Sequence, residues 1–285
     1  MDENADDTRA RWPAGHRSAV IISIDIDGDT WLRREYGEHR VGKRALGAYD
    51  LSAGIPRVLR LLADYGVLGT FFWVGQVAEG APELVRRCAA EGHEIACHTW
   101  DHAHYDDVTD ERQRDDLRRT RDMLAAITGT PPVGHKSAGF APGAGTPAIL
   151  QSLGFLYQMD LASGDLPWVV RPDAALPPLI QLPPTTFLDD YTLFADNLLA
   201  PDDAFALCRN TVDLLRDDGG LACFTFHPHL MGQPAPSRVF TRLLEYIIDL
   251  GDVWIDRADH VATWWRDREQ DTARNLDPAR RTRDP

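Results

Sequence analysis

The sequence is poor in cysteine, in positive charge and in long apolar runs, and each shortage excludes a class of function. It has four cysteines among 285 residues, and no two of them form a CxxC pair of the kind that binds zinc or exchanges disulfides. Cys88, Cys97 and Cys223 lie in apolar stretches that suit small buried side chains. We therefore expect the cysteines to be structural.

Positive charge is scarce, since 30 Lys and Arg residues stand against 44 Asp and Glu residues and the formal net charge is −14. No cluster of Lys and Arg forms a local basic patch, and a chain this acidic repels a phosphate backbone. Nucleic acid is therefore excluded as a partner, and we interpret the acidity as a contribution to solubility.

No apolar run reaches the length of about 20 residues that a membrane-spanning helix requires. The amino-terminal residues MDENADDTRARWPAGH carry acids where a signal peptide needs cations, and they lack an apolar core. We therefore expect a cytoplasmic protein that does not bind membranes.

The chain divides into one large domain and two short tails. Residues 1–16 are polar, and residues 267–285 are charged with almost no large apolar group, so both segments are predicted to be flexible. Residues 17–266 contain no low-complexity linker and no clear repeat. The sequence therefore predicts a single domain over this range.

Within the domain, short apolar runs alternate with amphipathic helical stretches, a pattern typical of an α/β fold with a parallel sheet. Strands are predicted over residues 19–24, 69–74, 94–98, 155–159, 179–182, 221–226 and 253–255, with a further short strand near residue 133. Helices are predicted over residues 52–65, 82–90, 110–127, 146–153, 203–215, 237–250 and 257–265. Residues 28–50 are predicted to form a long polar loop. About seven βα units favour a barrel over an open doubly wound sheet.

Two acids end the first predicted strand. In the run SIDIDGD, Asp25 and Asp27 follow apolar residues, and on a continuing strand they share one face. Two buried carboxylates repel each other, and this repulsion or a bound cation would drive their proton affinities apart. A metal ligand beside a general base is therefore a natural arrangement. For an isolated DxD, a solvated loop or helix cap is the alternative.

A cluster of histidines ends the third predicted strand. The run GHEIACHTWDHAHY places His98 and His102 four residues apart, a spacing that puts both imidazoles on one face of a helical turn. Imidazole together with carboxylate suits zinc and its first-row neighbours better than calcium or magnesium. For an isolated pair, surface or core histidines are the alternative.

A third polar group follows the predicted strand 221–226. His227 comes directly after Phe226 in the run FTFHPHL, where a barrel strand opens into its catalytic face. A histidine is a suitable general acid for a departing amine. The spacing does not choose between His227 and His229 for this role.

Single residues supply the remaining candidates for substrate contact. Lys136, in the run GHKSAGFAPG, is placed to orient a carboxylate or to contact a substrate. Four aromatic residues are candidates for lining a pocket: Trp100, Trp168, Phe187 and Tyr191. Core packing is the alternative for each of them.

In their order along the chain, these motifs resemble the polysaccharide-deacetylase superfamily, also called the NodB-homology or carbohydrate-esterase family 4 group, across residues 17–266. The resemblance implies an irregular (β/α)7 TIM-like barrel. It assigns the general base to Asp25 and the general acid to His227. It assigns one divalent metal, zinc or alternatively nickel or cobalt, to Asp27, His98 and His102.

The sequence departs from the family pattern at two points. The two acids are separated by one residue where secreted sugar deacetylases have adjacent acids, and Lys136 stands where an arginine normally steadies the base. Lysine is a point charge without the fork of arginine. The separated acids, the acidic amino terminus and the segment 28–50 resemble an intracellular branch of peptidoglycan-deacetylase-like, cyclic-imidase-like and allantoinase-like proteins.

The resemblance implies a metal-dependent hydrolase of a non-peptide C–N bond, for which we consider three hypotheses. The first is removal of an N-acetyl group from an amino sugar or a related small amide. The second is ring opening of a cyclic imide or ureide, as in allantoinase-like enzymes. The third is a catalytically silent relative that binds a carbohydrate or a partner protein. The expected partner is a small-molecule amide or amino sugar, and the oligomeric state stays open, a homo-oligomer included.

Overall fold

The structure is a computed structural model that describes residues 12–276, with side chains over residues 12–269. Strands and helices alternate along this part of the chain. The strands are β1 (Ser18–Ile26), β2 (Thr70–Trp73), β3 (Glu94–Cys97), β4 (Gly134–His135), β5 (Tyr157–Gln158), β6 (Trp168–Val170), β7 (Leu179–Gln181), β8 (Leu221–Phe226) and β9 (Val253–Ile255). The helices are α1 (Thr30–Tyr36), α2 (Val41–Tyr49), α3 (Ile55–Asp64), α4 (Gly75–Gly80), α5 (Pro82–Ala90), α6 (Asp110–Thr128), α7 (Thr146–Ser152), α8 (Pro201–Asp218), α9 (Pro234–Asp249) and α10 (Ala258–Leu276).

The strands form one mainly parallel sheet that curls into an incomplete barrel. The strand order is β6-β7-β5-β4-β3-β2-β1-β8, with β9 beside β1, and the β6–β7 pair is antiparallel. The segment after β7 returns to β8, because the Thr185 amide donates to the Cys223 carbonyl at 3.3 Å and Asp189 forms a parallel bridge with Thr225. The predicted single-domain α/β barrel is confirmed.

Alternation along β1 separates the outer core from the barrel interior. Val20 and Ile22 pack in the cluster that joins the sheet to its helices. Ala19 and Ile21 belong to the second cluster, inside the barrel, which α10 covers. Because side chains alternate along a strand, Asp25 continues the inward face of Ala19 and Ile21. The alternation of side chains along β1 therefore places polar residues inside the barrel, at the carboxyl-terminal ends of its strands.

Ordered structure extends into both of the predicted tails. Trp12 is 2% exposed, its ring packs against those of Trp254 and Trp265, and its Nε1 donates to the Gly219 carbonyl at 2.9 Å. At the other end, α10 continues to Leu276. The rest of the predicted tails, residues 1–11 and 277–285, lies outside the described residues.

The prediction of a long loop over residues 28–50 is wrong, because this segment forms α1 and α2. Its helical character is hard to detect in the sequence, since only Thr30 and Leu32 of α1 and Gly47 of α2 are buried. An added Cβ at Gly47 would lie 2.3 Å from the Asp29 amide nitrogen. Because Gly47 has no side chain, α2 packs closely against the turn that follows β1.

Two expectations drawn from composition can be compared with the structure. Within residues 12–276, the four cysteines are buried and none forms a disulfide. None of the helices in this range combines the length and the apolar character needed to cross a membrane.

Candidate active site

Polar side chains from separate strands meet at the carboxyl-terminal edge of the sheet. Asp25 and Asp27 come from the end of β1, and the other residues follow β3, β4 and β8. They line one cavity of about 410 Å³, which we call the strand-end cavity. Eight candidates from the sequence lie in its wall: Asp25, Asp27, His98, His102, Lys136, Tyr191, His227 and His229.

Asp27, His98 and His102 form a set of candidate metal ligands. Ligand atoms from the three side chains lie within 4.8 Å of one another. The Nε2 atoms of His98 and His102 each lie 3.5 Å from a different carboxylate oxygen of Asp27. These separations exceed a good hydrogen bond, but they suit ligand atoms about 3.4 Å apart around an ion with bonds of about 2.0–2.2 Å. Oδ1 of Asp27 is buried and has no hydrogen-bond partner among the residues that the structure describes, so this donor set fits a divalent metal.

The two histidines are brought together by a bent loop, and the predicted helical turn does not form. Thr99 and His102 adopt left-handed backbone angles, with φ of 57° and 61°, which are uncommon for residues other than glycine. Backbone strain of this kind clusters at functional sites. The loop is tied to β2 and its following turn, because the His98 amide donates to the Trp73 carbonyl at 3.0 Å and the Gly75 amide donates to the Thr99 carbonyl at 3.1 Å.

The ring of His98 is oriented as a metal ligand requires. Its Nδ1 lies 2.8 Å from the carbonyl oxygen of Lys136, so Nδ1–H donates there and the lone pair of Nε2 faces Asp27. Burial lowers the pKa of His98, although Asp25 and Asp27 oppose that shift. Burial by itself would raise the pKa of Asp27, but the imidazoles of His102, His227 and His98 hold it well below its usual value.

Lys136 holds Asp25 by a single-point contact. The Lys136 side chain is fully buried, and its Nζ donates to Asp25 Oδ1 at 2.7 Å and to Ser23 Oγ at 2.8 Å. The second carboxylate oxygen of Asp25 lies 3.8 Å from Nε2 of His98, beside the candidate metal ligands. Lys136 therefore contacts the carboxylate that the sequence places it to orient.

His227 is held by Asp190, a residue that the sequence analysis misses. Nδ1 of His227 lies 2.7 Å from Asp190 Oδ1, and Asp190 Oδ2 accepts the His227 amide at 2.9 Å. Burial alone would lower the pKa of His227, but Asp190, with Asp27 and Asp189, raises it well above the usual value. No strand-end motif marks Asp190, because it lies in an irregular segment that returns to β8 only in the folded chain.

The structure separates the two histidines that the sequence left as alternative acids. Within residues 12–276, His229 has no hydrogen-bond partner on either ring nitrogen, and burial, together with His227, lowers its pKa to about 3. His227 is therefore the ring that carries a proton near neutral pH, and His229 is neutral. Only His227 suits the role of a general acid.

Aromatic residues wall the strand-end cavity beside His227. Trp31 of α1 and Tyr191 both line the cavity, and their ring centroids lie 5.8 Å apart at 86°. Tyr191 was a candidate from the sequence. Trp31 was missed because the sequence pattern predicted a loop where α1 forms.

The other aromatic candidates do not line the strand-end cavity. Trp100 is buried, and the guanidinium of Arg119 lies 3.4 Å from the centroid of its ring. Trp168 is half-buried on the edge strand β6. Phe187 is 60% exposed. The proposed substrate contacts of Trp100 and Trp168 therefore have no support in this structure, because packing positions Trp100 and sheet pairing positions Trp168.

Replacing Asp190 by Asn is expected to move the alkaline limb of the pH profile of kcat/KM to lower pH. The proton on His227 is lost as pH rises through its pKa, and removal of the Asp190 charge lowers that pKa. Rates measured between pH 5 and 10, a range of about five units around the usual pKa of histidine, test this. Asp189→Asn is the matched control and should give a smaller shift, because Asp189 accepts from the Tyr191 amide and acts on His227 by its charge without a hydrogen bond. An equal shift in both variants would contradict the assignment.

Comparisons with known proteins agree with this fold. The family model described as polysaccharide deacetylase matches residues 47–157. A peptidoglycan deacetylase of Helicobacter pylori is 26% identical over 257 residues, which cover 89% of this chain and 80% of that protein. Two solved structures resemble this chain over almost their whole length. A Mycobacterium smegmatis protein described as a polysaccharide deacetylase has a TM-score of 0.85 and 29% identity, with 92% and 94% of the two chains covered. The allantoinase Puue, at 23% identity, shares the fold with a TM-score of 0.84 and the same coverage of 92% and 94%.

Proposed function

Because this chain belongs to the polysaccharide-deacetylase superfamily, we propose that it is a metal-dependent hydrolase of a non-peptide C–N bond. One observation carries the proposal: three candidate metal ligands, a lysine-held carboxylate and an aspartate-held imidazole face one cavity. A metal site, a base and an acid around one cavity are the groups that amide hydrolysis needs. A silent binding protein would have no use for all of them.

Each group in the strand-end cavity has a separate task. A divalent ion bound by Asp27, His98 and His102 would supply a Lewis acid for the scissile carbonyl and lower the pKa of water. Asp25 removes the proton of the attacking water, while Lys136 keeps the Asp25 carboxylate in position. His227 gives its proton to the departing nitrogen. The products are a carboxylic acid and an amine, or one ring-opened acid.

The first substrate class that we propose is an N-acetylated amino sugar or a related small amide. The cavity volume of about 410 Å³ lies in the range of small-molecule sites. A second class, a cyclic imide or ureide, is favoured by a specific observation. Trp31 and Tyr191 meet edge to face at the cavity wall, so a small ring bound beside His227 would contact aromatic surfaces.

The proposal is tested by measuring metal and turnover in the same protein. Elemental mass spectrometry of the wild type is expected to show about one zinc, nickel or cobalt ion per chain, as a site with three protein ligands requires. The loaded protein is then offered N-acetylglucosamine oligomers, simple N-acetyl amides and cyclic imides. Hydrolysis of one class identifies the substrate. A protein that binds no metal after zinc addition and hydrolyses none of these compounds would be a silent relative.

A further inference from the structure

The strand-end cavity contains a histidine that the proposed mechanism does not use. His229 lines the cavity, and its side chain is 2% exposed. In the described part of the chain, neither of its ring nitrogens has a hydrogen-bond partner. A buried polar group without a partner destabilises a folded protein, and such groups are rare in native structures. This cost calls for a functional explanation of His229.

The position of Asp50 distinguishes the two ring nitrogens of His229. Nδ1 lies 4.0 Å from Oδ1 of Asp50, a carboxylate whose other oxygen accepts the Gly28 amide at 2.9 Å. Asp50 is fully buried and lies outside the cavity wall. The two nitrogens of an imidazole point away from each other, so Nε2 is directed away from Asp50, on a ring that contributes to the cavity wall.

Two neighbouring rings fix the position of His229 relative to the reacting atoms. Its ring centroid lies 5.5 Å from that of His227 and 5.8 Å from that of Trp31. Under the proposed function, on which this step rests, His227 protonates the departing nitrogen. His229 therefore stands next to the group that protonates the departing nitrogen, beside the part of the substrate attached to that nitrogen.

We propose that His229 is a specificity-determining residue whose Nε2 hydrogen-bonds an oxygen of the substrate located a few bonds from the leaving nitrogen. Two substrate classes share this chemistry. In a cyclic imide or ureide the oxygen is the second carbonyl, and in an N-acetylated amino sugar it is a ring hydroxyl. A substrate without that oxygen leaves the buried Nε2 unpaired, and a site with an unpaired buried group discriminates strongly against such a substrate.

Binding to zinc-loaded protein, measured by titration calorimetry, tests the proposal without requiring turnover. Glutarimide is compared with 2-piperidone, which lacks the second carbonyl, and N-acetylglucosamine with N-cyclohexylacetamide, which lacks the hydroxyls. In His229→Leu, the affinity for the oxygen-bearing member of the favoured pair is expected to fall about tenfold or more, as for a lost hydrogen bond. The affinity for its partner compound should change less than about threefold. The pair that responds identifies the source of the oxygen.

A stability measurement separates this role from a structural one. Leucine removes the unpaired nitrogens at similar volume, so the Tm of His229→Leu is expected to equal or exceed that of the wild type, by up to about 4 °C. His229→Gln, which keeps a hydrogen-bonding side chain, should recover part of the affinity. Equal weakening of both members of each pair, or no weakening at all, would overturn the proposal. So would a wild type that binds neither glutarimide nor N-acetylglucosamine. Binding that depends on His229 in a protein without turnover would uphold it and refute only the hydrolase.

Discussion

Replacing Asp25 by Asn is expected to lower kcat about 10³-fold, as removal of a general base does, while metal content stays at the wild-type level. The substitution keeps the shape of the side chain and an oxygen that accepts from Lys136 Nζ, which also donates to Ser23 Oγ at 2.8 Å. The metal is assigned to Asp27, His98 and His102, none of which is altered. Steady-state kinetics on the best substrate of the panel and elemental mass spectrometry provide the two measurements.

Asp29→Asn is the matched control for this prediction. Asp29 lies on the turn that follows β1, but its carboxylate pairs with Arg33 and Arg44 and does not line the strand-end cavity. We expect it to keep both its metal and its turnover. A loss of metal in Asp25→Asn would show that Asp25 is a ligand instead of the base. Turnover close to that of the wild type would show that another group accepts the proton.

Replacing His98 by Ala is expected to remove metal and activity together. His98 contributes one of the three candidate ligand atoms, and its Nδ1 is held by the Lys136 carbonyl at 2.8 Å, so its removal leaves two of the three ligands. The rate should fall at least about 10³-fold, because the Lewis acid contributes several kcal/mol to the transition state. Metal content and kcat/KM are measured on the same preparation, before and after zinc is added.

His104→Ala serves as the control for metal content. His104 belongs to the same loop, and its ring centroid lies 6.4 Å from that of His102, but it is not among the three ligands. We expect this variant to keep about one metal ion per chain, as in a three-ligand site. Full activity in His98→Ala without metal would reject the metal-dependent mechanism. Loss of metal from both variants would point to a collapse of the loop rather than to the loss of one ligand.

The positions of the residues at the centre of the site follow directly from the local sequence. Asp25 and Asp27 end an apolar run that forms β1, and His98 and His227 come immediately after β3 and β8. The ends of parallel strands converge at one edge of a barrel, so residues in these positions meet whatever the intervening chain does. Strand-end position therefore predicted the meeting of Asp25, Asp27, His98 and His227, even though the helical turn assumed for His98 and His102 was wrong.

The residues around this centre were decided by the tertiary structure. Asp190 reaches His227 because the segment after β7 returns to β8. Trp31 reaches the cavity because α1 forms over the end of β1. Trp100 packs against Arg119 and does not line the cavity. Local sequence determined which side chains end each strand, since strand periodicity depends on nearest neighbours. Contacts between distant segments depend on the packing of the whole chain. Those contacts determine the pKa of His227, the residues that line the cavity wall and the surroundings of the His229 ring.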